Sequence, residues 1–333
     1  YRSGLNNSMV EHLHDIVRKE VPRWVGDLRS QDAVLDIGSN DGTLLNDYSP
    51  RHRRVGIDPS IHALTQFYGS GIEQHQGFFG EVDLGGPFKV ITSVAMFYDL
   101  DDPISFASQV RQLLADDGVW ILEQGYWPEL ARQGAYDVIC HEHIDYYSLK
   151  DMMHIMDAAG LVIKAVTFNR VNGASFRLVV GKSGSACEME WILKQEAAVS
   201  IDHFRQSVLA HGPALKALLT DLKSQGATIQ GYGASTKGNT VLHYAGIGPD
   251  LLDCIVEVST AKDGCWTPGT HIPIVLDAPT PDYYLVLPWH YRTGILRRER
   301  AFLNQGGTFI FPLPTIDLVT KEGVCPWPVK QTC

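Results

Sequence analysis

The alternation of short apolar segments with helical segments constrains the fold of this chain more than any other feature. In the first half, predicted strands lie at residues 33–37, 54–57, 88–94 and 118–123, predicted helices at 8–24, 103–115 and 149–159, and a predicted hairpin over 161–180. Strands that alternate with helices pair in parallel and form a doubly wound sheet. We therefore predict an open α/β sheet of this type.

The same alternation returns after a helical stretch over residues 188–224, which Gly212-Pro213 is expected to break. Predicted strands follow at residues 228–231, 251–257, 282–287 and 308–311, with predicted helices over 237–245 and from residue 292. This pattern indicates a second, smaller Rossmann-like α/β domain. We place the two domains at residues 1–187 and 188–333.

Composition excludes several classes of partner. The net charge is −10, whereas non-specific nucleic-acid binding requires many Lys and Arg side chains to displace counterions from phosphates. Apolar runs have strand length and do not approach the ~20 residues of a membrane helix. The six cysteines form no C-x-x-C pair, which argues against a metal site and is typical of free thiols in the cytoplasm. We expect a cytoplasmic monomer or homodimer without nucleic-acid or membrane partners.

A glycine-containing loop follows the first predicted strand. It reads Gly-Ser-Asn-Asp-Gly over residues 38–42, and Asp36 precedes it. Ligands of open α/β sheets bind outside the carboxyl ends of the strands, where glycine permits a tight turn and close approach. Asp58 ends the next strand, 22 residues after Asp36, and a carboxylate at that place typically binds ribose hydroxyls.

The ligand of this loop is not predicted to be a nicotinamide dinucleotide, which favours G-x-G-x-x-G. Two carboxylates beside a pyrophosphate would repel it, but they suit a ligand with ammonium and sulfonium groups. The loop resembles the first motif of class I S-adenosylmethionine (SAM) methyltransferases, and residues 56–59 resemble the second. The resemblance implies SAM as cofactor and a binding site formed by Asp36, Gly38, Ser39, Asn40, Asp41, Gly42, Asp58, Phe78, Phe79 and Ala95. The alternative is a loop that binds no ligand.

Residues 140–143 read Cys-His-Glu-His and are flanked by tyrosines. A histidine that titrates near neutral pH can serve as a general base for a carbon acid, and a neighbouring glutamate can orient it or bind a substrate hydroxyl. Two alternatives remain open at this stage. On a strand, His141 and His143 would share a face and could bind zinc, although no third ligand is evident. The segment could also be a polar loop without chemistry.

The chain resembles the nucleotide-sugar C-methyltransferases, which act on NDP-4-keto-6-deoxysugars. The matching segments are residues 1–4, 34–45, 141–143, 172–177, 231–239, 267–273 and 311–314. They follow one another over nearly the whole chain, and Gly-Tyr-Gly-Ala-Ser-Thr-Lys-Gly-Asn at 231–239 is the most distinctive. The resemblance implies that His143 takes a proton from the carbon beside the sugar ketone, that Glu142 contacts the sugar, and that the enolate attacks the methyl group.

Several positions depart from the pattern of that family. Cys140 stands where members often have Tyr, and Ala95 and Asp99 stand where they often have Asn and His. We keep His141, Cys140 and Asp99 as further candidate catalytic residues, although Asp99 could instead belong to a helix cap near Asp102. Members usually carry an N-terminal zinc-binding module, so we expect a trimmed chain or a variant without it.

Residues 231–239 form a second glycine loop, which lies between a predicted strand and a predicted helix. Backbone N–H groups at a helix N-terminus bind anions, and the pyrophosphate of a nucleotide sugar is a suitable ligand. The candidate substrate-binding residues are Tyr1, Arg177, Ser235, Thr236, Lys237, Asn239 and Lys262. Alternatively, the loop is a structural junction, or it binds NAD in an oxidoreductase or epimerase with Glu257 as the ribose ligand. Two more alternatives are a methyltransferase with a non-sugar acceptor and a SAM-binding protein without catalysis.

Overall fold

The computed structural model describes residues 2–327, and the candidate residue Tyr1 lies outside this range. The chain packs as two compact units. One comprises the residues up to Trp127 together with Ile144–Ala197, and the other comprises Pro128–His143 together with the residues from Ala198 onward. Each unit is built on one seven-stranded sheet. Among the described residues, no helix is long and apolar enough to cross a membrane.

The sheet of the first unit has the strand order β3-β2-β1-β4-β5-β7-β6. Its strands are β1 Ala33–Ile37, β2 Arg53–Ile57, β3 Ile72–His75, β4 Phe88–Val94, β5 Leu114–Gly125, β6 Val162–Asn169 and β7 Ser175–Gly181. The first five strands pair in parallel, while β7 pairs antiparallel with both neighbours. The order reverses between β1 and β4, so a crevice is expected outside their carboxyl ends.

The helices of this unit cover both faces of the sheet. They are α1 Asn7–Asp15, a π-helical turn Ile16–Glu20, α2 Val21–Val25, α3 Thr43–Asn46, α4 Ile61–Leu64, α5 Pro103–Leu113, α7 Leu149–Ala158 and α8 Glu190–Ala197, and α6 Trp127–Arg132 begins here and continues into the second unit. Trp120 and Phe97 belong to the core on one face, and Ile16 and Leu45 to the core on the other. The predicted strands and the predicted amino-terminal helix of this half are confirmed.

The sheet of the second unit has the order β10-β9-β8-β11-β12-β13-β14. Its strands are β8 Ile229–Tyr232, β9 Ile255–Val256, β10 Ile274–Val275, β11 Tyr283–Val286, β12 Thr308–Phe311, β13 Asp317–Thr320 and β14 Gly323–Pro326, and its helices are α9 Ile201–Ser224, α10 Thr236–Ala245, α11 Arg292–Arg298 and α12 Arg300–Asn304. The first five strands pair in parallel, and the order reverses between β8 and β11. The predicted second α/β unit is therefore present, with β10, β13 and β14 in addition.

The prediction that Gly212-Pro213 breaks the long helical stretch is wrong. Helix α9 runs through both residues, and the stretch is interrupted instead before Ser200, whose side chain accepts a hydrogen bond from the His203 N–H and begins α9. One proline removes a single helical hydrogen bond. The buried leucines on one face of α9 continue beyond it and hold the helix against the core.

The two compact units also differ from the division predicted near residue 188. Residues 128–143 pack with the second unit, because their 3₁₀ turn Tyr136–Val138 lies against α10. The Cys-His-Glu-His segment therefore belongs to the unit that contains the second glycine loop. Local sequence patterns carry no signal for this long-range packing.

The packing of α10 on Leu287, the residue after β11, yields a stability prediction. A Cβ atom at Gly238 would lie 2.6 Å from Leu287 Cβ and 2.9 Å from Ser235 Oγ. We expect Gly238→Ala to lower the free energy of unfolding by about 1–2 kcal/mol, because the overpacking exceeds the gain in helix propensity. Gly294→Ala, in open space on α11, is the matched control and should be neutral or stabilising. Urea unfolding would contradict the prediction if both variants were equally stable.

Candidate active site

Asp36 stands at the carboxyl end of β1 and is buried. Its Oδ1 accepts a hydrogen bond from Thr92 Oγ1 at 2.5 Å. Burial raises the pKa of this carboxyl to about 7, and the nearby Asp58 adds to the rise while Thr92 opposes it. A cationic group beside Asp36 would favour its ionised form. Thr92 was not predicted, since no motif marks it.

The loop after β1 turns sharply into α3. Gly38, Asn40 and Gly42 all have positive φ, at 74°, 49° and 71°. A Cβ atom at Gly42 would lie 2.7 Å from the ring of Tyr68, and one at Gly38 would lie 3.0 Å from Met96. Both glycines are thus required by the left-handed backbone and by close packing.

Asp58 connects the end of β2 to this loop. Its Oδ2 accepts a hydrogen bond from the Asn40 N–H at 2.9 Å, and its Oδ1 accepts hydrogen bonds from the N–H and hydroxyl of Ser60 at 2.7 and 2.5 Å. The carboxylate therefore fixes the loop and the first residues after β2. Asp36 and Asp58 lie at the ends of neighbouring strands, as predicted from their spacing.

The other polar side chains of the loop hold the loop itself. Asp41 is buried, and it accepts hydrogen bonds from Thr43 and from the Gly4 N–H at 2.8 Å. The Asn40 amide oxygen accepts a hydrogen bond from the Ser3 N–H, and Ser39 is bonded to the hydroxyl of Tyr68. The carboxylate of Asp41 thus has protein donors on both oxygens. Tyr68 was missed because it lies far along the chain in an unmarked segment.

The candidate residues of the first unit that lie outside the glycine loop differ in their surroundings. The ring of Phe79 packs on Phe106 with centroids 4.8 Å apart, whereas Phe78 is 65% exposed. Ala95 has a φ of 56°, and its N–H donates to the Glu123 carbonyl. Asp99 is exposed in the turn Phe97–Asp99. It does not cap the following helix, since the cap is formed by the Asp102 side chain.

Arg177 was predicted to add positive charge for a pyrophosphate at the second glycine loop, and the structure gives it another partner. It is buried in β7 of the first unit, and its Nε donates to Glu123 Oε2 at 2.8 Å. The other oxygen of Glu123, Oε1, lies 2.5 Å from His12 Nε2, and Oε2 also accepts a hydrogen bond from Asn169. Arg177 therefore neutralises a buried carboxylate, because an unpaired buried charge is strongly destabilising.

In the second unit, residues 140–143 form a turn and not a strand. The His143 N–H donates to the Cys140 carbonyl at 3.2 Å, and His141 and Glu142 are exposed while His143 is half-buried. The shared strand face that a zinc site would require is absent from this segment. Among residues 2–327, no group of three or more His, Cys, Asp or Glu side chains is placed to hold a metal ion.

The imidazole of His143 has a defined tautomer. Its Nδ1 lies 2.8 Å from the Val138 carbonyl oxygen, and because a carbonyl only accepts, Nδ1 carries the hydrogen and Nε2 carries the lone pair. Burial and then the charge of Lys237 lower the pKa of His143 to about 4. The imidazole is therefore neutral at physiological pH.

The second glycine loop is fixed in the same manner as the first. Glu257 Oε2 accepts a hydrogen bond from the Ala234 N–H at 3.0 Å, and Lys262 Nζ donates to the Ala234 carbonyl at 2.6 Å and to Glu257 at 3.3 Å. Ser235 caps α10 by accepting the Gly238 N–H. Lys262 and Ser235 therefore lie at this loop, together with Thr236, which is exposed, and Asn239, whose N–H continues the helix.

Lys237 lies in a different environment from the other candidates of this loop. Burial lowers the pKa of its ammonium, and the neighbouring Asp137 opposes this shift. Asp137 is buried, and its Oδ2 accepts a hydrogen bond from Trp289 Nε1 at 2.7 Å. Asp137 and Trp289 were not predicted, because their pairing joins residues 152 positions apart.

Two family models match this chain. One is described as a methyltransferase domain and matches residues 9–166, and the other is described as a C-methyltransferase C-terminal domain and matches residues 170–314. The C-methyltransferase NovU of Streptomyces niveus is 29% identical over 340 residues, which cover 95% of this chain and 80% of NovU. The chain belongs to the C-methyltransferases. The predicted enzyme class, the predicted cofactor SAM and the class I methyltransferase fold are thereby confirmed.

Solved methyltransferase structures resemble part of this C-methyltransferase. One from Bacillus halodurans is 14% identical and covers 54% of this chain and 100% of its own, with a TM-score of 0.41. A SAM-dependent methyltransferase from Clostridium acetobutylicum is 13% identical and covers 53% of this chain and 99% of its own, with a TM-score of 0.38.

The residues around the first glycine loop fit the cofactor of a C-methyltransferase. The carboxyls of Asp36 and Asp58 supply negative charge for a cationic ligand and acceptors for ribose hydroxyls. The left-handed backbone at Gly38 and Gly42 leaves no side chain in the turn. The charge and the backbone geometry both fit SAM, and all of these residues belong to the first compact unit.

The pKa of Asp36 yields a prediction for SAM affinity. Below pH 7 the Asp36 carboxyl is mostly protonated. If only its ionised form binds the cofactor, this proton must leave before binding, so the affinity for SAM should fall as the pH falls. We expect the ratio of the SAM association constants of wild type and Asp36→Asn to rise about tenfold from pH 6 to pH 8. The ratio removes the titration of the ligand itself.

Isothermal titration calorimetry measures this ratio and the accompanying proton release. Asp116→Asn is the matched control, since this carboxylate side chain is 97% exposed, and its ratio to wild type should not change with pH. A constant ratio for Asp36→Asn would contradict a role of Asp36 in cofactor binding.

Proposed function

We propose that this C-methyltransferase methylates the carbon beside the ketone of an NDP-4-keto-deoxysugar, with His143 as the general base. The observation that carries the proposal is the fixed tautomer of His143, whose Nδ1–H is held by Val138. His143 also belongs to the same compact unit as the second glycine loop. A base for the sugar and an anion site for its diphosphate would then share one unit.

The geometry of His143 supports proton removal from carbon. Its Nε2 carries the lone pair, and its low pKa keeps it unprotonated at neutral pH. A base of low pKa removes a proton from carbon only if the resulting enolate is stabilised by a nearby positive charge or donor. The half-buried position of His143 limits competition from water.

The second glycine loop supports a phosphate-bearing acceptor. The first turn of α10 presents backbone N–H groups at a helix N-terminus, which is a favourable place for a phosphate. Lys262 lies on this loop through its bond to Ala234. Because Ser235 and Glu257 already fix the loop, it does not have to be ordered by the ligand.

In the first unit, Asp36 and Asp58 and the backbone of residues 38–42 would hold the cofactor. When bound, SAM supplies an electrophilic methyl group on a sulfonium. Asp58 would orient the ribose, and Asp36 would place negative charge beside the cation. His143 would take the proton that leaves the acceptor carbon, so the proton-removal step of the reaction depends on the second unit.

The test of this proposal also covers acceptors other than keto nucleotide sugars. A carbon acid that is not a sugar could use the same base, and the replacements at Cys140, Ala95 and Asp99 motivate its inclusion. Mass spectrometry of the products from a panel of keto nucleotide sugars with SAM distinguishes these acceptors. A cytoplasmic location and a monomeric or homodimeric state also stay predictions.

The role of His143 can be tested apart from methyl transfer. In D₂O, the wild-type enzyme with S-adenosylhomocysteine should exchange the proton beside the ketone of the acceptor. His143→Asn should reduce both this exchange and turnover by about 100-fold or more, as expected for loss of a general base, and should still bind SAM. The exposed His203→Asn, on α9 of the same unit, is the matched control. Near wild-type exchange in His143→Asn would exclude it as the base.

A further inference from the structure

Helix α9 carries a half-buried histidine that is hydrogen-bonded on both ring nitrogens. His211 Nε2 lies 2.5 Å from the Pro312 carbonyl oxygen, and His211 Nδ1 lies 3.0 Å from the Tyr136 hydroxyl. Because a carbonyl only accepts hydrogen bonds, Nε2 carries the hydrogen and Nδ1 carries the lone pair. Burial lowers the pKa of His211, so the ring is neutral at physiological pH. The Tyr136 hydroxyl therefore donates to Nδ1.

The 3₁₀ turn Tyr136–Val138 is attached to the second unit by the side chains of its first two residues. Tyr136 binds His211, 75 positions away along the chain. Asp137 accepts a hydrogen bond from Trp289 Nε1 at 2.7 Å, 152 positions away. Tyr136 and Asp137 are both buried, and all four residues belong to the same compact unit. The turn is thus fixed by bonds to α9 and to the segment that follows β11.

The ring of Tyr136 is also held by close packing. Its centroid lies 4.9 Å from that of Tyr244 on α10, with the ring planes at 57°. Gly212, the residue after His211, permits this arrangement, because a Cβ atom at Gly212 would lie 2.9 Å from Tyr244 Cε1. Gly212 therefore lets α9 approach α10 beside the turn.

The last residue of the turn determines the tautomer of the candidate base. The Val138 carbonyl accepts the Nδ1–H of His143 at 2.8 Å, and the hydrogen bond of one imidazole nitrogen decides which nitrogen keeps the lone pair. A shift of about 1 Å along this bond would take it outside the range of a hydrogen bond. The lone pair on Nε2 of His143 thus depends on the position of the turn.

We propose that Tyr136 and His211 are positioning residues for His143. Their hydrogen bond holds the Val138 carbonyl where it fixes the tautomer with the lone pair on Nε2. This tautomer is a property of the free enzyme, and only the naming of His143 as the base rests on the proposed function. Misplacement of a reacting group by about 1 Å can reduce a rate about 100-fold. A bond that does not touch the substrate can therefore affect proton removal.

NMR spectroscopy tests the positioning without substrate. Tyr136→Phe removes one hydroxyl, keeps the ring that packs on Tyr244, and leaves His211 Nδ1 without its donor. We expect the nitrogen chemical shifts of the His143 ring, assigned with His143→Asn, to show the Nδ1–H tautomer in the wild type. In Tyr136→Phe they should shift to those of a mixture of both neutral tautomers. Tyr283→Phe, at the opposite end of β11 from Trp289, is the matched control and should keep the wild-type shifts.

Kinetics of the same variants measure the effect on proton removal. Exchange of the acceptor proton in D₂O with S-adenosylhomocysteine should fall about 10-fold in Tyr136→Phe, while KM for the acceptor and affinity for SAM stay unchanged. His211→Gln keeps an N–H for Pro312 but loses the acceptor for Tyr136, so it should fall equally. His211→Asn keeps that acceptor and should retain more of the exchange rate.

A double variant shows whether the two substitutions act through one bond. Tyr136→Phe/His211→Gln should exchange no more slowly than either single variant, because both break the same hydrogen bond. Additive losses would contradict the coupling. If Tyr136→Phe folds poorly, the comparison of His211→Asn with His211→Gln tests the same bond.

The outcomes separate this inference from the proposed function. A wild-type tautomer or a wild-type exchange rate in Tyr136→Phe overturns the positioning role, whatever the substitution does to stability. Equal loss of exchange in His211→Asn and His211→Gln also overturns it, because the acceptor for Tyr136 would then be irrelevant. If His143→Asn retains turnover, the proposed function fails, whereas the tautomer measurement on the free enzyme still decides whether Tyr136 and His211 position the imidazole.

Discussion

A hydrogen-bonded carboxylate at the end of a neighbouring strand holds each glycine loop of this protein in place. Asp58 accepts the Asn40 N–H in the first unit, and Glu257 accepts the Ala234 N–H in the second. Each carboxylate also accepts N–H groups of the residues that follow its own strand. Because backbone N–H groups in a turn must find acceptors, these carboxylates order the loops before any ligand binds. Preordered loops lose less entropy on binding.

The two glycine loops are held in the same way, but the charged side chains around them differ. Around the first loop the carboxyls of Asp36 and Asp58 favour a cation, whereas the carboxyl of Asp41 is already paired with Arg2 at 3.8 Å. Around the second, Lys262 is paired with Glu257 at 3.3 Å, and Lys237 lies in the first turn of α10, whose N-terminus favours an anion. The strand orders of the parallel parts are alike, so the fold alone does not determine the ligand. The side chains at the strand ends differ between the units, and under the proposed function they suit a sulfonium in the first and a phosphate in the second.

Local patterns in the sequence predicted the parallel strands, the places of Asp36 and Asp58 at strand ends, and the loop at residues 231–239. They failed where the partner of a residue lies far along the chain. Arg177 is the cation that ends the segment Asn-Gly-Ala-Ser-Phe-Arg, yet its partner Glu123 lies 54 positions away. The packing of the turn Tyr136–Val138 on α10 likewise depends on tertiary contacts. Periodicity reports which face of an element is buried, but it does not report what covers that face.

That packing has a consequence for how the proposed reaction could be tuned. The distance between His143 and the second glycine loop is set inside one compact unit, by the turn that holds both Val138 and Asp137. A substitution around β1 or β2 can therefore alter cofactor affinity without moving His143. Conversely, a change in the turn Tyr136–Val138 alters the position of His143 while Asp36 and Asp58 keep their partners. Under the proposed function, proton removal from the acceptor carbon and affinity for the methyl donor are therefore separable properties. A single substitution can change one without the other.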